Sequence, residues 1–263
     1  MLSYVILLAV CFLACMLGPL CGIGGGVVIK PAIDALGLMG VAAASFLSGV
    51  TVLAMSLFTI GKRARKGTLR ISWPLMLPIA LGAAVGGAAG KAVFAGVVKA
   101  FGQPDLVGGA QAAILLALTA LSIFYTLKKA TLPHLQLSDV VARAALGTAS
   151  GAAWSFLGIG GGPFNLVLLV FFLSMGTADA SQASLLIIAF SQTAGLAQML
   201  LAGTIPTFPV ADLIGMVSMA VAGSIAGMYV SARIDDGGRD RLYIAALALI
   251  ALICAYNMVS FLG

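Results

Sequence analysis

In a chain of 263 residues, 62% hydrophobic and only 8% charged, there is too little polar surface to clothe a water-soluble domain, and a mean hydropathy of +1.16 places the whole length in the integral-membrane class. A formal charge of +6 raises nucleic acid as a candidate partner. However, eleven of the fourteen Lys and Arg, all but Lys30, Lys91 and Lys99, sit in three short connections between apolar runs, where they orient a chain in a bilayer. One His, no Glu, and no HExxH, GxSxG or GxxxxGK arrangement leave little for catalysis, so neither enzymatic activity nor a cofactor is expected.

An apolar helix is expected over 2–21; it has no Lys or Arg and no cleavage signature before a polar chain, which reads as a retained membrane segment. It ends at Gly22-Ile23-Gly24-Gly25-Gly26. A short apolar piece follows over 27–38, with Lys30 and Asp34 four apart on one helical face. The next full-length helix covers 40–60 and carries Ser45, Ser48 and Thr51 along one stripe, before the most basic connection, Lys62, Arg63, Arg65, Lys66 and Arg70. Trp73-Pro74 opens a helix running to about 98, an interfacial aromatic followed by a first-turn proline. Within it Gly82, Gly86 and Gly90 make two small-xxx-small steps that let a neighbouring helix approach. Lys91 and Lys99 of this segment are expected to snorkel toward the outer face. After the Gln103-Pro104-Asp105 turn, 106–127 is the fifth apolar element, and the linker 128–139 carries Lys128, Lys129 and His134.

The second half repeats the plan. A helix over 140–157, with Arg143 near its start and Trp154 near its end, leads to Gly158-Ile159-Gly160-Gly161-Gly162. The short piece 163–173 holds Asn165, and the long helix 179–201 holds Ser181, Gln182, Ser184, Ser191, Gln192 and Gln198. A helix over 208–232 contains Gly223 and Gly227, and a connection with Arg233, Arg239 and Arg241 precedes 242–262. The glycine runs lie 136 residues apart, and at that offset Met39-Gly40 meets Met175-Gly176, Ala44-Ser45 meets Ala180-Ser181, Ser48 meets Ser184, and Gly67-Thr68 meets Gly203-Thr204. The chain is a duplication, read as a first repeat 1–127, the linker 128–139 and a second repeat 140–263 in one membrane domain.

Basic residues give the relative orientation. Residues 62–70 hold five Lys or Arg, whereas their repeat, 198–206, holds none; 99–106 holds only Lys99, whereas its repeat lies in the connection with three Arg. By the positive-inside rule the halves are inverted, with the 62–70 loop and the linker in the cytoplasm and both termini outside. Inversion requires an odd number of crossings per half: either all five elements cross, or the two flanking each glycine run form a re-entrant hairpin. The fold expected is therefore an all-α polytopic membrane protein of two inverted repeats, about five helical elements each, with glycine-broken helices near the centre.

Adjacent glycines inside apolar sequence free backbone groups that lipid cannot satisfy, and paired breaks in corresponding positions of two halves point to a transporter's binding site. A glycine turn opening a short helix presents unpaired N–H groups and the positive end of a helix dipole, suited to an anion. The candidate binding residues are Gly24, Gly25, Gly26, Lys30, Ser45 and Ser48 from the first half, with Gly160, Gly161, Gly162, Asn165, Ser181, Ser184 and Gln192 from the second. Each has a plainer reading: close packing for the glycines, an ion pair with Asp34 or snorkelling for Lys30, and hydrogen bonds between helices for the serines and amides. Asp34 and Asp179 are candidate proton-coupling carboxylates, or equally helix caps. Trp154 reads as an interface anchor. Cys11, Cys15, Cys21 and Cys254 have no metal spacing and read as small buried hydrophobes, with Cys21, beside the break, a further pore-lining candidate.

A GIGGG run followed by a short apolar piece and a serine-bearing small-residue helix, once in each half, resembles the sulfite exporter TauE/SafE family of membrane permeases over essentially the whole chain. The resemblance implies a bacterial or related plasma-membrane transporter of a small sulfur-containing anion, such as sulfite or a sulfonate, often assigned to export. The second short piece departs from the first at Pro163 and Asn165, and Leu166 stands at the counterpart of Lys30. The expected partners are the small anion and the bilayer, with no nucleic acid; a homo-oligomer is left open. The rival reading is a non-transporting scaffold or assembly subunit, which needs no polar path through its centre.

Overall fold

The structure, a computed structural model, describes residues 2–129 and 135–262; His134 and the rest of 130–134 in the expected linker lie outside the described residues. All the regular elements are helical: α1 (Leu2–Cys21), α2 (Gly26–Ala35), α3 (Val41–Arg65), α4 (Trp73–Phe101), α5 (Pro104–Lys128), α6 (Val140–Leu157), α7 (Gly162–Leu173), α8 (Thr177–Leu201), α9 (Val210–Ser231) and α10 (Asp236–Leu262). Seven of them, α1, α3, α4, α5, α8, α9 and α10, are long and apolar enough to cross a membrane. The protein is a multi-pass membrane protein. At 10 and 12 residues, α2 and α7 reach only about 15 to 18 Å, half of a bilayer core.

Two helix ends run past their sequence boundaries. The basic residues Lys62, Arg63 and Arg65 form the last turn of α3, where cations favour the negative end of the helix dipole. Arg239 and Arg241 likewise belong to α10 rather than to a loop before it.

Lipid tails give helices no hydrophobic reason to associate, so close approach and interhelical hydrogen bonds must supply it. Gly82, Gly86 and Gly90 of α4 lie against α6, where an added Cβ would overlap the carbonyl oxygens of Ala144, Thr148 and Ala152. Gly223 and Gly227 of α9 lie in the same way against Phe12 and Met16 of α1. Thus α4 of the first half packs on α6 of the second, and α9 of the second on α1 of the first. Two further pairs survive exchange of the halves: α3 with α9 matches α8 with α4, and α2 with α10 matches α7 with α5.

The equivalent helices α3 and α8 run antiparallel. Phe46 near the start of α3 stacks on Phe208 beyond the end of α8, Gly49 faces Gln192, and the backbone N–H of Arg70 after α3 donates to Gln182 Oε1 near the start of α8 at 2.9 Å. At their crossing the two glycine breaks meet in the core.

Candidate functional site

The first break turns on Gly22, at φ +67°, and the second on Gly158, Gly160 and Gly161, at φ +72°, +72° and +88°. Side chains rarely adopt that backbone conformation, so these four positions need glycine for the turn itself. The amides of Gly24, Gly25, Gly26, Gly160, Gly161 and Gly162 find no backbone acceptor among the described residues, as expected at the start of a helix. The ends of α2 and α7 do not open onto a shared gap, however. They touch backbone to backbone: a Cβ on Gly162 would overlap Gly24, and one on Gly26 would overlap the Ile159 carbonyl. Ser184 ties the breaks together, its buried hydroxyl shared between Gly22 O at 3.1 Å and Gly162 O at 3.2 Å.

Around this junction the other candidates divide. Lys30 is buried and paired with Asp34 at 2.7 Å, so its charge is met within α2. Asn165 Oδ1 accepts the Trp154 indole N–H at 2.7 Å, while Asn165 Nδ2 has no partner. Trp154 is 6% exposed and stacked near Phe164, not anchored at an interface, because α6 turns its end inward against the break. Ser48 Oγ and both polar atoms of Gln192 are buried without partners. Ser181 is buried where α8 meets Gly22. Asp179, in the first turn of α8, is half-buried with Oδ1 unpartnered. The four cysteines are free and buried, and Cys21 Sγ donates weakly to Arg239 O at 3.7 Å.

Lys91 overturns its sequence expectation. It does not snorkel: it is 1% exposed, and its ammonium donates to Ser45 O at 3.3 Å and Ser45 Oγ at 3.1 Å. Room for its stem comes from Gly195 of α8, where a Cβ would sit 3.0 Å from Lys91 Cγ. The sequence marks this position only as a lysine inside an apolar helix; the α4–α8 seam is what turns Lys91 inward.

The large cavity lies to one side of the breaks. Its volume is ≈ 570 Å³, and its lining draws on both halves: Pro19, Lys62, Arg63, Lys66 and Arg70 with Ser181, Gln182 and Arg239 among others. Among the described residues five cations and no carboxylate line it, so it offers an anion positive potential. Arg63 also reaches across to Pro19 O at 3.0 Å, fixing the end of α1 against α3. Sequence reasoning read these basic residues as orientation signals alone; their convergence with Arg239, far along the chain, is a product of the fold.

The family model described as Sulfite exporter TauE/SafE matches residues 7–258. No curated protein and no solved structure matches the chain.

Proposed function

The chain belongs to the sulfite exporter TauE/SafE family, a family of membrane transporters, and from that membership we propose that it is a secondary carrier of a small sulfur-containing anion. Sulfite, a sulfonate or a related oxyanion would cross by alternating access between two inverted halves. The observation that carries this reading is the cationic cavity, built from both halves and ending at Ser181 beside the first glycine break. A scaffold has no use for such a route, whereas a carrier caught in one state needs access from one side and closure on the other. The antiparallel course of α3 and α8 and the exchange of contacts between halves support the inverted arrangement.

Under the positive-inside rule the cavity faces the cytoplasm of a bacterial inner membrane and both termini lie outside. In that orientation the basic vestibule concentrates anions on the loading side, which suits export. Nothing here requires a nucleotide: the gradient of the anion, or of a proton taken up at Asp34 or Asp179, supplies the drive.

Reconstituted vesicles test this directly. Flux of sulfite and of a short alkyl sulfonate is expected under an imposed gradient, with none of a neutral or cationic solute of similar size. Flux of the neutral solute without any anion flux overturns the proposal.

A further inference from the structure

The vestibule ends before the centre, and what lies beyond it has its own chemistry. One face of α8 presents Ser181 at the vestibule, Ser184 bridging the breaks, Ile188 and then Gln192, a climb of roughly 16 Å. Ile188 and Val52 close on the break glycines: Ile188 Cδ1 lies 2.9 Å from the place a Cβ would take on Gly24, and Val52 Cγ1 lies 3.2 Å from that of Gly160. Behind this plug the polar groups gather. Gln192 Oε1 is 2.8 Å, and Lys91 Nζ 4.0 Å, from the place a Cβ would take on Gly49; Gln192 Nε2 is 3.8 Å from that of Gly160. Ser45 of α3 holds the Lys91 ammonium, and Ser48, one turn on, sets its hydroxyl 3.0 Å from the place a Cβ would take on Gly26.

The inventory is lopsided. Lys91 has no carboxylate partner among the described residues, whereas Lys30 is paired with Asp34 and Lys129 with Asp240. Its two hydrogen bonds go to neutral oxygens of Ser45, leaving an ammonium proton over. The Ser48 hydroxyl, able to donate or accept, the donor Gln192 Nε2 and the acceptor Gln192 Oε1 are also buried without partners. A buried charge without a counter-charge is costly, and so is each unmet donor. A small oxyanion meets both deficits at once, because its charge balances Lys91 and its several oxygens each accept a hydrogen bond. Where Gly49, Gly160 and Gly195 lack Cβ atoms, Gln192 Oε1, Val52 and the Lys91 stem fill the space, so a few heavy atoms enter only as these side chains swing aside.

We infer that Lys91, Ser45, Ser48 and Gln192 form the occluded oxyanion site, with Lys91 rather than Lys30 as the counter-charge. This rests on the anion-carrier reading above. The site is shut from the vestibule by Ile188 and Val52 and is reached when that plug parts.

The test uses the full purified chain in detergent, melted in buffer free of oxyanions and then with increasing sulfite, sulfate or thiosulfate. Wild-type protein is expected to gain several degrees in melting temperature with a saturable dose. Lys91→Met, which removes the uncompensated charge at nearly constant volume, is expected to melt at or above the wild-type temperature without anion and to lose the anion-induced gain. Gln192→Leu is expected to shift the dose midpoint at least tenfold, and Lys99→Gln, on the exposed surface, to leave it unchanged. If wild-type protein carries sulfite in vesicles and Lys91→Met keeps the full anion response with a lowered starting temperature, Lys91 is a structural hydrogen-bond donor; the site assignment is then wrong while the carrier reading stands. If wild-type protein shows neither an anion response nor flux, the carrier reading falls and the site with it.

Discussion

Replacing Gly162 by Ala probes whether the breaks are held together by backbone contact. A Cβ there would overlap Gly24 N and lie 2.8 Å from both Gly24 Cα and Ile23 C. All three atoms are main chain, so no rotamer change relieves the overlap; one break must move away from the other. Overpacking of this kind costs about 1 to 3 kcal/mol, and the immovable neighbours place Gly162→Ala at the upper end. Gly61→Ala is the matched control, a helical glycine of α3 with nothing within 4 Å, where removing backbone freedom is expected to stabilise by up to about 1 kcal/mol. Both are measured by titrating SDS into mixed micelles and following loss of the folded form, with sulfite flux in vesicles measured in parallel. Gly162→Ala is expected to unfold at lower SDS and to lose flux. Wild-type stability in Gly162→Ala, or an equal loss in Gly61→Ala, would refute the packed-break geometry.

Trp154→Phe removes the indole N–H that serves Asn165 Oδ1 and leaves that buried oxygen unmet, a loss of about 1 to 3 kcal/mol in the same SDS titration. Adding Asn165→Leu, which removes the stranded amide, is expected to recover much of that loss; no recovery would mean that the pair is not the source. In a background lacking Cys11, Cys15, Cys21 and Cys254, Thr204→Cys should react with an impermeant thiol reagent from outside the cell and Ala64→Cys only after the membrane is opened, both positions being exposed. Labelling of both from one side would make the halves parallel. Arg63→Gln with Arg70→Gln is expected to raise the KM for sulfite several-fold from the vestibule side with little change in kcat, and to flatten the dependence of KM on ionic strength; an unchanged KM would remove the vestibule from the path.

The sequence alone determined the class and the helix plan and displayed the repeated glycine motif, because these rest on local physics. A bilayer demands runs of about 20 apolar residues, a glycine run interrupts one wherever it stands, and a repeated motif is visible at fixed offset. Gly82, Gly86, Gly90, Gly223 and Gly227 were legible as seams for the same reason, though not which helices they would meet. The contacts that decide the site join distant stretches of chain. Lys91 and Ser45 are brought together from different helices by the rotation of α4 about its own axis, set by Gly87 against Ser191 and Gly195 against the lysine stem. Hydropathy registers a lysine inside an apolar helix and cannot see which way it turns. Trp154 was misread for the same reason: a tryptophan near a helix end looks alike whether that end lies at the headgroups or at a break in the core. The two short helices meet backbone to backbone at their glycine starts, a contact that glycine permits and that only the packing of α2 on α7 selects. Arg239 joins Arg63 and Arg70 around one cavity for a reason that charge counting cannot supply, the crossing of the two halves in three dimensions.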